Sequence, residues 1–257
     1  MHRFQYARPQ SLAEASSFLG DDGKFLAGGQ TLIPTLKQRL AAPEIIVDLA
    51  GIAELHGIRM EGEHLAIGAM TTHAQTATDA LVAKHLPVLT ALAAEIGDPQ
   101  VRHAGTIGGS LANNDPAADY PAAVLALQAQ IHTQKRVISA ADFFCDVFET
   151  ALDEDEIITK VVFPTDRQAA YRKHPQPASR YALVGVCVAR HHGHHHVTAT
   201  GAGLNGVFRL PAFEHALDAD APIPNASPEN LLTDIHADAP YRAHLLEVMA
   251  RRAFAGL

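Results

Sequence analysis

The chain has 257 residues, 47% of them hydrophobic, which is more than a small single domain needs and enough for several cores. Its formal net charge of −8 argues against non-specific nucleic-acid binding, which needs a cationic surface to neutralise a phosphate backbone. The start, Met1-His2-Arg3-Phe4-Gln5-Tyr6, lacks the apolar stretch of a secretory signal and no apolar run is long enough to cross a bilayer, so a cytoplasmic location is expected.

In chain order, Ser11-Leu12-Ala13-Glu14 has the form of a capping box and predicts a helix through Phe18-Leu19. Lys24-Phe25-Leu26-Ala27 reads as a short strand delivering the glycine-rich loop Ala27-Gly28-Gly29-Gln30-Thr31-Leu32-Ile33-Pro34. A helix is expected from Thr31 to Leu40, its positive end favouring a phosphate. Ile45-Ile46-Val47-Asp48-Leu49 has a buried-strand pattern and closes a small α/β unit near residue 50. His64-Leu65-Ala66-Ile67-Gly68-Ala69 is strand-like, and Thr72 to Leu81 and Leu86 to Ile96 read as helices. A second glycine-rich loop, Thr106-Ile107-Gly108-Gly109-Ser110-Leu111-Ala112-Asn113-Asn114-Asp115-Pro116, follows Val101-Arg102. A helix from Tyr120 to Leu127 comes next, with Pro121 near its first turn, where a missing N–H matters little. Residues 128 to 163 alternate short β-like runs with acidic turns, and the stretch from Thr165 to Ser179 is rich in charge and proline. The expected division is 1–50, 51–165, a linker over 166–179, and a C-terminal unit over 180–257.

The C-terminal unit opens with two strand candidates, Tyr181 to Ala189 and Val197 to Thr200, which flank His191-His192-Gly193-His194-His195-His196. Imidazoles are common metal ligands, but ligands need convergent geometry that a glycine-containing turn does not supply, so a solvated hairpin tip without metal is expected. Gly201-Ala202-Gly203-Leu204-Asn205-Gly206 matches GxGxxG, the dinucleotide fingerprint. The fingerprint needs a helix starting inside the glycines, whereas Val207-Phe208-Arg209-Leu210-Pro211 stays extended, so a strand–turn is expected. The only cysteines, Cys145 and Cys187, form no CxxC pattern and cannot ligate an iron–sulfur cluster.

The two glycine-rich loops each couple a Gly pair to a hydroxyl side chain. Glycine permits the close approach and positive φ of an anion-binding nest, and Thr and Ser add donors, so the pairing points to one diphosphate held from both sides. Neither loop carries the Lys and Ser/Thr of a nucleotide-hydrolysing P-loop.

The run from Lys24 to Pro34, Gly105 through Ser110, and Asp115-Pro116-Ala117-Ala118-Asp119 resemble the FAD-binding medium subunit of the molybdenum hydroxylases, the family of the carbon monoxide dehydrogenase and bacterial xanthine dehydrogenase medium chains. The resemblance extends to Phe4-Gln5-Tyr6-Ala7-Arg8-Pro9 at the opening, to Asp155-Glu156-Ile157-Ile158 through Phe163-Pro164, and to Tyr241-Arg242 with Arg251-Arg252. It implies an α+β protein with a two-subdomain FAD-binding fold of the vanillyl-alcohol-oxidase/PCMH type, followed by a small α+β C-terminal domain. It assigns Lys24, Ala27, Gly28, Gly29, Gln30, Thr31 and Leu32 to one side of FAD. Thr106, Ile107, Gly108, Gly109, Ser110, Asn113 and Asp119 fall on the other, and Tyr181 to an aromatic position near the flavin. For Asp119 a helix N-terminal acid fits as well as a ribose or ring acceptor, and for Tyr181 a core strand tyrosine fits equally. Gln30 replaces the His of some relatives and His103 stands where Asn is common. With no histidine beside the first Gly pair, the FAD is expected to be noncovalent.

The resemblance further implies a molybdopterin-binding large subunit that hydroxylates substrate and a [2Fe-2S] small subunit that relays electrons, with this chain passing them to an external acceptor. No catalytic residue acting on an organic substrate can be placed. The alternatives are a self-contained FAD-dependent oxidase or dehydrogenase and a non-enzymatic assembly scaffold.

Overall fold

A computed structural model describes all residues, Met1–Leu257. The first unit runs β1 (Gln5–Ala7), α1 (Leu12–Leu19), β2 (Gly23–Leu26), α2 (Leu32–Lys37) and β3 (Ile45–Asp48), and its strands form a parallel sheet in the order β1-β3-β2. Parallel neighbours need crossovers, which α1 and α2 provide. Ser11 caps α1 by accepting from Glu14 N at 3.2 Å, but the Glu14 carboxylate reaches back to the amide of Gln10, one residue before the cap. The second helix is shorter than expected. It ends at Lys37 before Arg39, whose φ of 62° lies in the left-handed region.

The second unit comprises β4 (Ile58–Glu61), β5 (His64–Gly68), α3 (His73–Thr78), α4 (Ala80–His85), α5 (Pro87–Ala94), α6 (Pro99–Ala104), α7 (Ile107–Asn113) and α8 (Tyr120–Ala126). It continues through β6 (Gln130–Thr133), β7 (Val137–Ser139), α9 (Ala140–Phe143), β8 (Phe144–Asp146), β9 (Glu149–Thr150) and β10 (Ile158–Pro164). Its antiparallel sheet, ordered β4-β5-β10-β6-β7, packs with the helices around the largest core, which holds Leu65, Ile67, Leu89, Leu111 and Tyr120. The helix expected over Thr72 to Leu81 breaks at Asp79, whose carboxylate accepts from Leu81 N and Val82 N and so starts α4.

The third unit runs β11 (Gln168–Pro175), β12 (Ala182–His191), β13 (His194–Gly203), β14 (Gly206–Arg209), α10 (Pro211–Asp218) and α11 (Ala239–Phe254), with the strands in an antiparallel meander. The stretch read as a linker over 166–179 is corrected: most of it is β11, paired with β12 from Gln168↔Arg190 to Pro175↔Ala182. Side chains alternate across a strand, so Val184, Val186 and Val188 pack with Leu246 and Met249 of α11, while Cys187 and Ala189 join the core of the second unit. A sheet covered on both faces explains why residues 182–189 are almost continuously apolar. The GxGxxG segment is a β-hairpin with Gly203 opposite Gly206. Only His192 and Gly193, with φ of 49° and 85°, form the tip of the histidine-rich hairpin. His195 instead is buried and pairs with Asp218 at 2.8 Å, whereas Asp166, His191 and His192 gather at the surface.

Candidate functional site

The two glycine-rich segments come together at one cleft between the first and second units. The first follows β2 and turns at Gly29, whose φ of 69° suits glycine. Gly28 rests directly on the backbone of Ala104, leaving no room for a Cβ, and Gln30 closes the loop by donating Nε2–H to Gly28 O at 3.0 Å. The backbone N–H groups of Gly28, Gly29, Gln30 and Thr31 donate to no protein acceptor, and neither does the Thr31 hydroxyl. Consecutive unpartnered amides with a positive-φ glycine among them are the kind of arrangement that binds an anion.

The second segment, read as a loop, is mostly the helix α7. Thr106 is its N-cap and accepts from Gly109 N at 3.1 Å, so its hydroxyl proton is left to donate elsewhere. Ile107 N and Gly108 N donate to Thr71 O and Ala69 O, which pins the start of the helix to the sheet. A Cβ on Gly109 would stand 3.2 Å from the Cβ of Ala27, so this glycine keeps the gap between the segments open.

A cavity of about 620 Å³ occupies this cleft. That is within the range of ligand pockets, roughly 300–1,000 Å³. It is lined by Lys24, residues 27–32, Thr106, Gly108, Gly109, Ser110, Asn113, Asp119 and Tyr181. Ile107 is the exception among the expected residues: its side chain is fully buried in the core of the second unit. Tyr181 lies just before β12 and is 43% exposed at the cavity, so it is not a core strand tyrosine.

Asp119 makes no capping bond to α8. Its Oδ1 accepts from the Tyr171 hydroxyl at 2.6 Å and its Oδ2 from Lys173 Nζ at 3.0 Å, so both oxygens are engaged by the C-terminal sheet. Burial pushes the Asp119 carboxyl up, while the ammonium of Lys173 and the hydroxyl of Tyr171 pull it down.

Several lining groups were not among the residues expected at the cofactor. His73 is buried beside the cavity, its Nδ1 without a partner and its ring centroid 5.4 Å from that of Tyr120. Burial first, and then the charge of Arg102, lowers its pKa to about 4. Glu156 is held by Arg136 at 2.8 Å and by the Thr133 hydroxyl, and the Arg136 hydrogen bond leads in lowering its pKa to about 2. Apolar walls come from Met70, Ile96, Leu152, Ile157 and Ile158. The donor set fits FAD: unpartnered amides and hydroxyls suit a diphosphate and the apolar walls suit a flat ring. FAD supplies, when bound, a carrier able to exchange electrons singly or in pairs.

Similarity to known proteins points to the same cofactor. A family model described as the FAD binding domain in molybdopterin dehydrogenase matches residues 2–166. The carbon monoxide dehydrogenase medium chain of Afipia carboxidovorans is 36% identical, covering 97% of this chain and 95% of that protein. The nicotine 6-hydroxylase medium subunit of Paenarthrobacter nicotinovorans is 33% identical, covering 96% and 95%. Among solved structures, carbon monoxide dehydrogenase from Hydrogenophaga pseudoflava, in a form lacking the Mo-pyranopterin moiety, superposes with a TM-score of 0.89 at 34% identity, covering 98% of this chain and 96% of that one. With more than half of its residues matched by that model and such relatives along almost its whole length, the chain belongs to the FAD-binding medium subunits of the molybdenum hydroxylases.

Proposed function

We propose that this chain holds FAD noncovalently between residues 27–32 and α7, takes electrons from [2Fe-2S] clusters on a small partner subunit, and passes them to an external acceptor while a molybdopterin-binding large subunit oxidises the substrate. The observation that carries the reading is the row of unpartnered amides from Gly28 to Thr31, in a segment that lines one cavity with α7 beside the gap that Gly109 keeps open. In this reading the amides and the hydroxyls of Thr31, Thr106 and Ser110 bind the diphosphate, and Lys24 adds positive charge at the cavity. Tyr181 covers one side of the ring and limits access of water. Cys187 is buried with its thiol pushed up to about 12, and Cys145 stands alone, which supports placing the clusters on another chain.

The test is flavin content. The purified chain should retain FAD that acid precipitation releases into the supernatant; flavin remaining on the pellet would refute noncovalent binding. Gly109→Val should fill the gap beside Ala27 and Thr106 and lower FAD occupancy at least about tenfold, a loss of about 1.4 kcal/mol or more of binding. A folded variant with full occupancy would show that α7 does not face the diphosphate.

A further inference from the structure

We infer that Lys173, on β11 and beyond residues 2–166 matched by the family model, is a positioning residue of the flavin site: its buried ammonium ties together three separate segments that line the cavity. This rests on the FAD reading above. The Lys173 side chain is 3% exposed. Its Nζ donates to Asp119 Oδ2 at 3.0 Å, to Glu95 O at 3.1 Å and to Arg180 O at 2.9 Å. An ammonium has three protons, so each finds an acceptor and none is left to solvent.

Each acceptor leads directly to the cavity. Glu95 precedes Ile96 and Gly97, Asp119 is itself in the wall, and Arg180 precedes Tyr181. The loop carrying Tyr181 needs such an anchor. Arg180 sits at a φ of 63°, an uncommon conformation for a side chain of its size, and the turn is closed by Arg180 N to Gln176 O and Gln176 N to Tyr181 O, both 2.8 Å. Lys173 adds the bond that holds this turn against the second unit. Tyr171, on the same face two residues earlier, fixes the other Asp119 oxygen, and a Cβ on Gly185, the β12 partner of Lys173, would collide with the Tyr171 hydroxyl. The sheet is therefore shaped to deliver a phenol and an ammonium to one carboxylate. Without that carboxylate the buried cation would be uncompensated, and without the cation the carboxylate would be. The flavin site is thus completed by the C-terminal unit, and flavin binding and docking of that sheet reinforce one another.

The test uses the full chain in three forms, wild type, Lys173→Met and the charge-neutral pair Asp119→Asn with Lys173→Met, measuring FAD dissociation constant, visible circular dichroism of the bound flavin and thermal midpoint. The double variant leaves no lone buried charge and should fold; its FAD dissociation constant should rise roughly tenfold or more and the flavin dichroism should change as Tyr181 loosens. Full affinity with unchanged dichroism in a folded variant would overturn the inference. Hydrogen exchange on the wild type decides independently of any variant: adding FAD should slow exchange across residues 170–181, and protection confined to residues 2–166 would overturn it. Wild type that binds no FAD at all would instead remove the functional reading beneath it.

Discussion

His73 illustrates how one residue beside the cavity can set a property of the whole chain. Its imidazole is neutral in the fold, with a pKa near 4. An unfolded histidine titrates near 6.5, so between those values the unfolded chain binds more protons than the folded one. Stability contributed by keeping His73 neutral is therefore present above about pH 6.5, falls as the pH drops toward 4, and is exhausted below, the whole span amounting to at most about 3 kcal/mol. Replacing His73 with Phe removes the proton uptake while keeping an aromatic ring against Tyr120. Urea midpoints of the flavin-free protein measured from pH 4.5 to 7.5 should then show a flatter slope in the variant; identical slopes would mean that His73 is solvated and charged when folded. Nothing in the sequence distinguishes this histidine from His56 or His64, because what lowers its pKa is burial under segments distant in the chain. The glycine pairs, by contrast, were legible, since the φ of Gly29 and the tight seat of Gly28 are demands that only glycine meets.

At the scale of elements, the strands and helices of the first unit follow from local patterns, and the errors fall where distant partners decide. Residues 166–179 read as a linker because the stretch is rich in charge and proline, yet Lys173 faces a buried carboxylate and the ladder to β12 holds the rest. The loop reading of 106–116 failed because Gly108 and Gly109 lower helix propensity, a penalty that the Thr106 cap and the bonds to Thr71 and Ala69 override. The histidine-rich hairpin was half legible. Its turn is a solvated tip, with positive φ at both His192 and Gly193 as a two-residue hairpin turn requires. His195, however, has its Nδ1 and its amide on the same Asp218 oxygen, at 2.8 and 2.7 Å, and its ring lies 5.6 Å from that of Phe254. The five histidines are thus not equivalent. Changing His192 and His194 to Ser should leave stability within about 0.5 kcal/mol, while His195→Ser should cost about 1–3 kcal/mol by loosening α10 and α11 from the sheet. Equal denaturation midpoints for the two variants would place His195 in solvent.

At the scale of the molecule, the family model ends at residue 166, yet the third sheet is clamped between α11 and the second unit. Thr198 and Thr200 donate their hydroxyls to Ala122 O and Ala118 O, both at 2.7 Å. The segment carrying Asp115 and Ala118 into the cavity wall is thereby held by the C-terminal sheet, so the cavity is built by the whole chain rather than by its first two units. No helix is long and apolar enough to cross a membrane. The isolated chain should bind FAD yet leave it oxidised when offered purines, aldehydes or carbon monoxide, because in the proposed complex electrons arrive from a neighbouring [2Fe-2S] centre and not from substrate. Adding the molybdenum and iron–sulfur subunits of the same source should restore reduction, read as anaerobic bleaching of the flavin band. Bleaching by the lone chain at a turnover-competent rate would make it a self-sufficient oxidoreductase. Failure to bleach with all subunits and the correct substrate class would instead separate this flavin site from the electron path.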